Sequence, residues 1–176
     1  MRGAKSVKSN LIEIKARVRS LDPIREKLLS SGTELQGTYL QTDTYFNAAS
    51  DRLKMREVGG EPTAKLIYYD REDIPEPKQS DIIIVETDEP EALKAILDRS
   101  IGVKVTVEKT REIYQHQGTQ VHLDEVEGLG TFIEFERPIT DLSEDRTVLE
   151  ALMEELDIKA GDLVTVSYSD LKLEKT

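Results

Sequence analysis

Positive side chains recur two residues apart in several β-branched stretches of this sequence: Lys15 and Arg17, then Arg52, Lys54 and Arg56, then Lys109 and Arg111, with Lys65 in a further stretch. Residues at that spacing share one face of a strand, about 7 Å from each other. Like charges so placed repel unless an anion or a carboxylate lies between them. Carboxylates are sorted too, with Glu13 beside the first cations and Asp124, Glu134 and Glu136 in the last two strand-like stretches. A phosphate-bearing ligand with a divalent metal asks for both sets: Lys and Arg for the phosphates, oxygen donors for the ion. The plain alternative is a solvated sheet face, because any half-buried antiparallel sheet alternates apolar and charged residues. What separates the two readings is that these cations collect in a chain that is acidic overall.

The chain has 24 Lys and Arg against 35 Asp and Glu, a formal net charge of −11 over 176 residues. That balance speaks against a non-specific grip on nucleic acid or on an anionic membrane, though not against a small local cation site. Hydrophobic residues make up 38%, enough for a core, and the length predicts a single domain over residues 1–176. With no cysteine, disulfides, thiol catalysis and thiolate metal sites are excluded. Residues 1–8 are basic but no apolar run follows them, and the longest apolar stretch, Ile82–Val85, is far too short to span a bilayer. A cytoplasmic location is the expectation.

Familiar signatures are missing. Gly59–Lys65 resembles a phosphate-binding loop only superficially, lacking its spacing and its Lys-Ser/Thr ending. His116 and His122 are the two histidines, and without cysteine they do not make a dedicated zinc site. His116 reads as a polar strand-end residue, while His122 shares a face with Gln120 and Asp124.

Three helices are predicted to frame these strands. One opens at Asp22-Pro23 and stops at Ser30-Ser31-Gly32; one opens near Asp88-Glu89-Pro90 with Leu93, Ile96 and Leu97 on a face; one follows Ser143 and carries Val148, Leu149, Leu152, Met153 and Leu156. A short last helix after Ser167 is weakly signalled. Strands are predicted over 10–19, 34–46, 52–58, 62–69, 82–86, 103–114, 119–126 and 131–137. A pattern of strand, helix and three strands occurs twice, about 70 residues apart, and the loop 71–80, with Pro75 and Pro77, joins the halves.

Seven motifs in order then carry a resemblance. Asn10–Arg17 resembles the ExExK strand of the CYTH superfamily, also called triphosphate tunnel metalloenzymes. It is followed by Gln41–Phe46, Arg52–Glu57, Ala64–Tyr69, Val107–Arg111, Val121–Asp124 and Gly128–Glu136. The resemblance implies an α+β fold, a closed eight-stranded antiparallel β-barrel with helices packed outside and a charged lumen. It further implies that Lys15, Arg17, Lys54, Arg56, Lys65, Lys109 and Arg111 hold a triphosphate, with Arg52 at a strand end held more loosely. Glu13, Asp124, Glu134 and Glu136 become the shell for one or two Mg²⁺ or Mn²⁺ ions. One position departs from the motif: Leu11 stands where the first glutamate of ExExK belongs, so one metal ligand is missing.

Within the superfamily, the compact length, Asp43–Phe46 and Leu66–Tyr69 are most similar to the class IV adenylyl cyclases. The implied reaction is attack of the ATP 3′-hydroxyl on the α-phosphorus with loss of pyrophosphate. No residue stands out as general base. Hydrolysis of thiamine triphosphate, tripolyphosphate or a nucleoside triphosphate is the alternative activity, and a non-catalytic polyphosphate- or nucleotide-binding protein is the third. The resemblance also allows a homodimer.

Overall fold

The computed structural model of the chain describes residues 6–49, 52–71 and 78–175. Eight strands are present: β1 (Ser6–Val18), β2 (Leu35–Phe46), β3 (Arg52–Val58), β4 (Ala64–Arg71), β5 (Lys78–Thr87), β6 (Val103–His116), β7 (Thr119–Val126) and β8 (Gly130–Pro138). The helices are α1 (Asp22–Ser30), α2 (Pro90–Ile101), α3 (Leu142–Glu155) and α4 (Tyr168–Leu173). The order β1-α1-β2-β3-β4 is repeated as β5-α2-β6-β7-β8, as the internal repeat predicts. Most of the connecting loop expected at 71–80 lies outside the described residues, as do two residues of the turn after β2.

All strand pairs are antiparallel, and they close a barrel in the order β1-β5-β4-β3-β2-β6-β7-β8, with β8 returning to β1. Closure removes free sheet edges. It also forces each strand to show one face inward, and the side-chain alternation decides which. Ile12, Ile14 and Ala16 of β1, Val121 and Leu123 of β7, and Ile133 and Phe135 of β8 pack outward against Ile24 and Leu28 of α1 and Leu149, Leu152 and Met153 of α3. A second outer cluster joins Phe46, Met55 and Ala64 to Leu93 and Leu97 of α2. On β1, β3 and β8 apolar faces turn outward under helices and charged faces inward, the inverse of an ordinary solvated sheet. The β6–β7 hairpin turns on Gln117 and Gly118, both at positive φ, as a two-residue hairpin requires.

Three local expectations are adjusted. Asp22 lies inside α1, whose cap position is Leu21 and carries no side-chain cap bond. For α3 the cap is Asp141, whose carboxylate accepts from the backbone N–H groups of Ser143 and Glu144, satisfying two of the helix's orphan donors. Ile96 does not join Leu93 and Leu97 but is 61% exposed. Among the described residues no helix is long and apolar enough to cross a membrane.

Candidate active site in the barrel lumen

A cavity of about 160 Å³, open to solvent, occupies the lumen. Its wall includes Glu13, Lys15, Lys54, Arg56, Lys109, Arg111, Glu134 and Glu136. Eight of the twelve residues expected to form the site therefore meet around one space. Alternation explains it: these residues come in pairs from four strands, β1, β3, β6 and β8, and each is an inward member of its strand's pattern.

The positive pole is organised by a residue that has no role among the expected site residues. Asp43 of β2 is completely buried and accepts from Lys54 Nζ at 3.0 Å, Lys109 Nζ at 2.8 Å, and Arg56 Nε and Nη2, both at 2.7 Å. Three cations meet one carboxylate, so positive charge is left over. Burial by itself would raise the Asp43 pKa, but Arg56, Lys109 and Lys54 outweigh it and hold the carboxyl well below its usual range. Burial, with repulsion from Arg56, pushes Lys54 down to about 7 against the attraction of Asp43. Lys109 is lowered to about 8, first by burial and then by Arg56 and Arg111, with Asp43 opposing. Two lysines are thus ready to gain protons when an anion arrives.

The acidic pole lies across β1, β7 and β8. Glu134 accepts from Arg111 Nη2 at 2.5 Å and lies 3.1 Å from Lys15 Nζ. Burial opposes its ionisation, yet Lys15 and Arg111 keep its pKa well below the usual carboxylate range. Glu13 is the register partner of Glu136, and Glu134 that of both Lys15 and His122. His122, buried, has its Nδ1 within 3.8 Å of both Glu134 and Glu136. Three carboxylates and a buried imidazole suit a hard or borderline divalent cation, so the residues present fit Mg²⁺ or Mn²⁺.

Four expected residues stand apart from the cavity wall. Asp124 is fully buried behind Arg111, which it accepts at 2.7 and 2.5 Å, and it also accepts the Tyr168 hydroxyl at 2.7 Å. Arg17 is exposed; it donates to the Leu129 carbonyl at 2.6 Å and stacks 4.5 Å from the Phe132 ring centre. Arg52 pairs with Asp170 of α4 at 3.0 Å. Lys65, also exposed, lines a second opening with Tyr39, Gln41, Arg56 and Glu86. Arg56 borders both spaces.

The C-terminal segment supplies a floor that strand patterning could not anticipate. Tyr168 has its ring 4.1 Å from Lys15 Nζ and 5.7 Å from Lys109 Nζ, and Lys15 Nζ donates to the Val166 carbonyl at 3.5 Å. Lys172 donates to the Glu127 carbonyl at 2.9 Å, tying α4 to the β7–β8 turn. Opposite the charged strands the wall changes character: Ile67, Tyr69, Ile82 and Ile84 of β4 and β5, with Leu11 and Tyr45, line the same cavity.

The chain and its fold have counterparts among known proteins. A Methanocaldococcus jannaschii protein named "Putative adenylate cyclase" is 29% identical over 180 residues, covering 92% of this chain and 97% of that relative. The structure of the PH1012 protein from Pyrococcus horikoshii superposes with a TM-score of 0.83 at 23% identity, covering 92% and 98% of the two chains. A Hippeastrum structure, named "Putative adenylyl cyclase" and described by a dominant triphosphatase activity, gives a TM-score of 0.65 at 18% identity over 95% of each chain. The sequence profile of the CYTH domain matches residues 10–168. This chain, with its closed barrel and bipolar lumen, belongs to the CYTH domain family.

Proposed function

We propose that the chain is a metal-dependent enzyme that converts ATP to cyclic AMP and pyrophosphate in the lumen. The observation that carries this reading is the division of one cavity between a cation-rich arc and an apolar, aromatic arc. Inorganic triphosphate would use only the first, whereas a nucleoside triphosphate has a flat base for the second. The likeness to a relative named as an adenylate cyclase supports the same choice.

In this reading Lys54, Arg56 and Lys109 bind the β- and γ-phosphates, and Arg111 and Lys15 lie between them and the acidic pole. A divalent ion held by Glu13, Glu134 and Glu136 would supply Lewis acidity at the α-phosphate. The ribose 3′-oxygen forms a bond to the α-phosphorus while the bond to the bridging oxygen of the β-phosphate breaks. The hydroxyl proton passes to a substrate phosphate oxygen, and charge growing on pyrophosphate is met by the cations around Asp43. Tyr69 and Ile82 would keep the base, and with it the ribose, from turning away from the α-phosphate.

Incubation with ATP and Mg²⁺ or Mn²⁺, followed by separation of products, tests the proposal. Cyclic AMP with pyrophosphate is the expected result. Orthophosphate from ATP, thiamine triphosphate or tripolyphosphate would replace cyclisation by hydrolysis in the same clamp. Binding of all three without turnover would leave a triphosphate-binding protein.

A further inference from the structure

The acidic pole contains a nitrogen donor that the phosphate chemistry does not use. His122 is only 3% exposed. Its neighbours Val121 and Leu123 pack into the outer core, so alternation turns its imidazole toward the lumen. Nε2 lies 3.2 Å from Gln120 Oε1; in the neutral tautomer that donates from Nε2 to this oxygen, Nδ1 carries the lone pair. Nδ1 is buried without a hydrogen-bond partner. It stands 3.8 Å from Glu134 Oε2 and 3.7 Å from Glu136 Oε1, too far for hydrogen bonds.

A buried lone pair facing two carboxylates costs free energy unless a cation lies between them. One donor atom each from His122, Glu134 and Glu136 lies within 4.8 Å of the others. Ligands bound at about 2.1 Å to one ion are roughly 3.0–3.4 Å apart, so a contraction of about 0.5 Å brings the imidazole into range of an ion shared with either glutamate. The hydrogen bond from Nε2 to Gln120 is the kind of outer contact that fixes a metal-binding imidazole in its ligating tautomer.

We propose that His122 is a nitrogen ligand to the divalent metal held by Glu134 and Glu136, and that it turns the site's preference from Mg²⁺ toward Mn²⁺ and Co²⁺. Mg²⁺ favours oxygen donors throughout, whereas imidazole strengthens binding of the later first-row metals. The donor lost at Leu11 on β1 is thereby offset from the other side of β8, by a different element. The inference rests on reading the acidic pole as a metal site, and not on which reaction takes place there.

The test uses the metal alone, with the chelator-treated full chain and no nucleotide. Pulsed EPR of the Mn²⁺ complex should show coupling to a directly bound ¹⁴N nucleus, lost in His122→Asn and kept in His116→Gln. Calorimetric titration should find Mn²⁺ and Co²⁺ at least tenfold tighter than Mg²⁺. His122→Asn should weaken Co²⁺ by tenfold or more and Mg²⁺ by less than threefold. A wild-type Mn²⁺ spectrum without nitrogen coupling overturns the proposal, and so does an unchanged Co²⁺ affinity in a folded His122→Asn chain; the first of these needs no variant. A doubly protonated imidazole paired with the two glutamates would give that negative spectrum. Nitrogen coupling without ATP turnover would overturn the cyclase reading and leave the ligand in place, whereas turnover without coupling would do the reverse.

Discussion

The two arcs of the barrel wall are built from the same pleated strand and face the same cavity, yet they solve opposite problems. Where β2, β3 and β6 meet, Asp43, Lys54, Arg56, Lys109 and Arg111 are ions, and burial makes each costly unless a partner lies within hydrogen-bond range. Asp43 meets that need for three cations at once. On β4 and β5 the cavity is lined by Ile67, Ile82 and Ile84, which need no polar partner, and by Tyr69, whose ring centre lies 5.4 Å from Lys54 Nζ. The first arc is therefore organised by electrostatics around a single carboxylate, and the second by contact area. It follows that the two should respond to different substitutions, and that phosphate and base recognition should be separable.

The largest effect is expected where the charged arc is held together. Asp43→Ala leaves three buried cations without their shared carboxylate and should cost about 3–5 kcal/mol in urea unfolding. Added tripolyphosphate should restore more stability to this variant than to the wild type. Equal stability of the two chains would break the view that Asp43 organises the positive pole.

Next come the cations themselves. Arg56→Ala or Lys109→Ala should lower turnover by about 10²–10³-fold, on the scale of losing one group that meets developing charge. Full activity in either variant would remove the charged arc from the mechanism. On the opposite arc, Ile82→Ser with Ile84→Ser should raise the KM for ATP about tenfold while leaving tripolyphosphate binding within about twofold. Equal losses for both ligands would erase the distinction between the arcs.

The smallest effect is a proton count. With Lys54 near 7 and Lys109 near 8, a bound triphosphate that raises both should take up about one and a half protons at pH 8 and almost none at pH 6. Calorimetry in buffers of different ionisation enthalpy reads this directly. Without ligand the sign is fixed too: both lysines fall below their ordinary 10.5. The unfolded chain therefore holds more protons above about pH 7, and this contribution to stability rises with pH up to about 10. Release of protons on binding would contradict it.

Much of this was readable in the sequence because alternation is a local property. Lys54 and Arg56, or Lys109 and Arg111, announce a shared face without any knowledge of what lies across from them. Partners are another matter. Asp43 sits in a recognisable stretch, but only the register of β2 between β3 and β6 reveals that it joins three cations. Tyr168 reaches Asp124 from 44 positions away, a distance at which side-chain spacing carries no information. Ile82–Val85 is apolar on both faces, so its pattern could not say which members look inward; that left the apolar arc hidden.

The closure of the barrel has a consequence for how the chain must be made. Val18, the last residue of β1, accepts from the hydroxyl of Thr131, 113 positions later. At roughly 5–20 residues per second of synthesis, the first strand waits on the order of ten seconds for its last neighbour. During that interval Glu13 and Lys15 have no lumen to face, and Ile12 and Ile14 have no α3 to cover them. Native pairing this remote in sequence is slow to form, so the half-made chain offers an open edge beside an apolar face. The geometry that leaves the finished barrel without edges makes the nascent one most exposed to misassembly just before it closes.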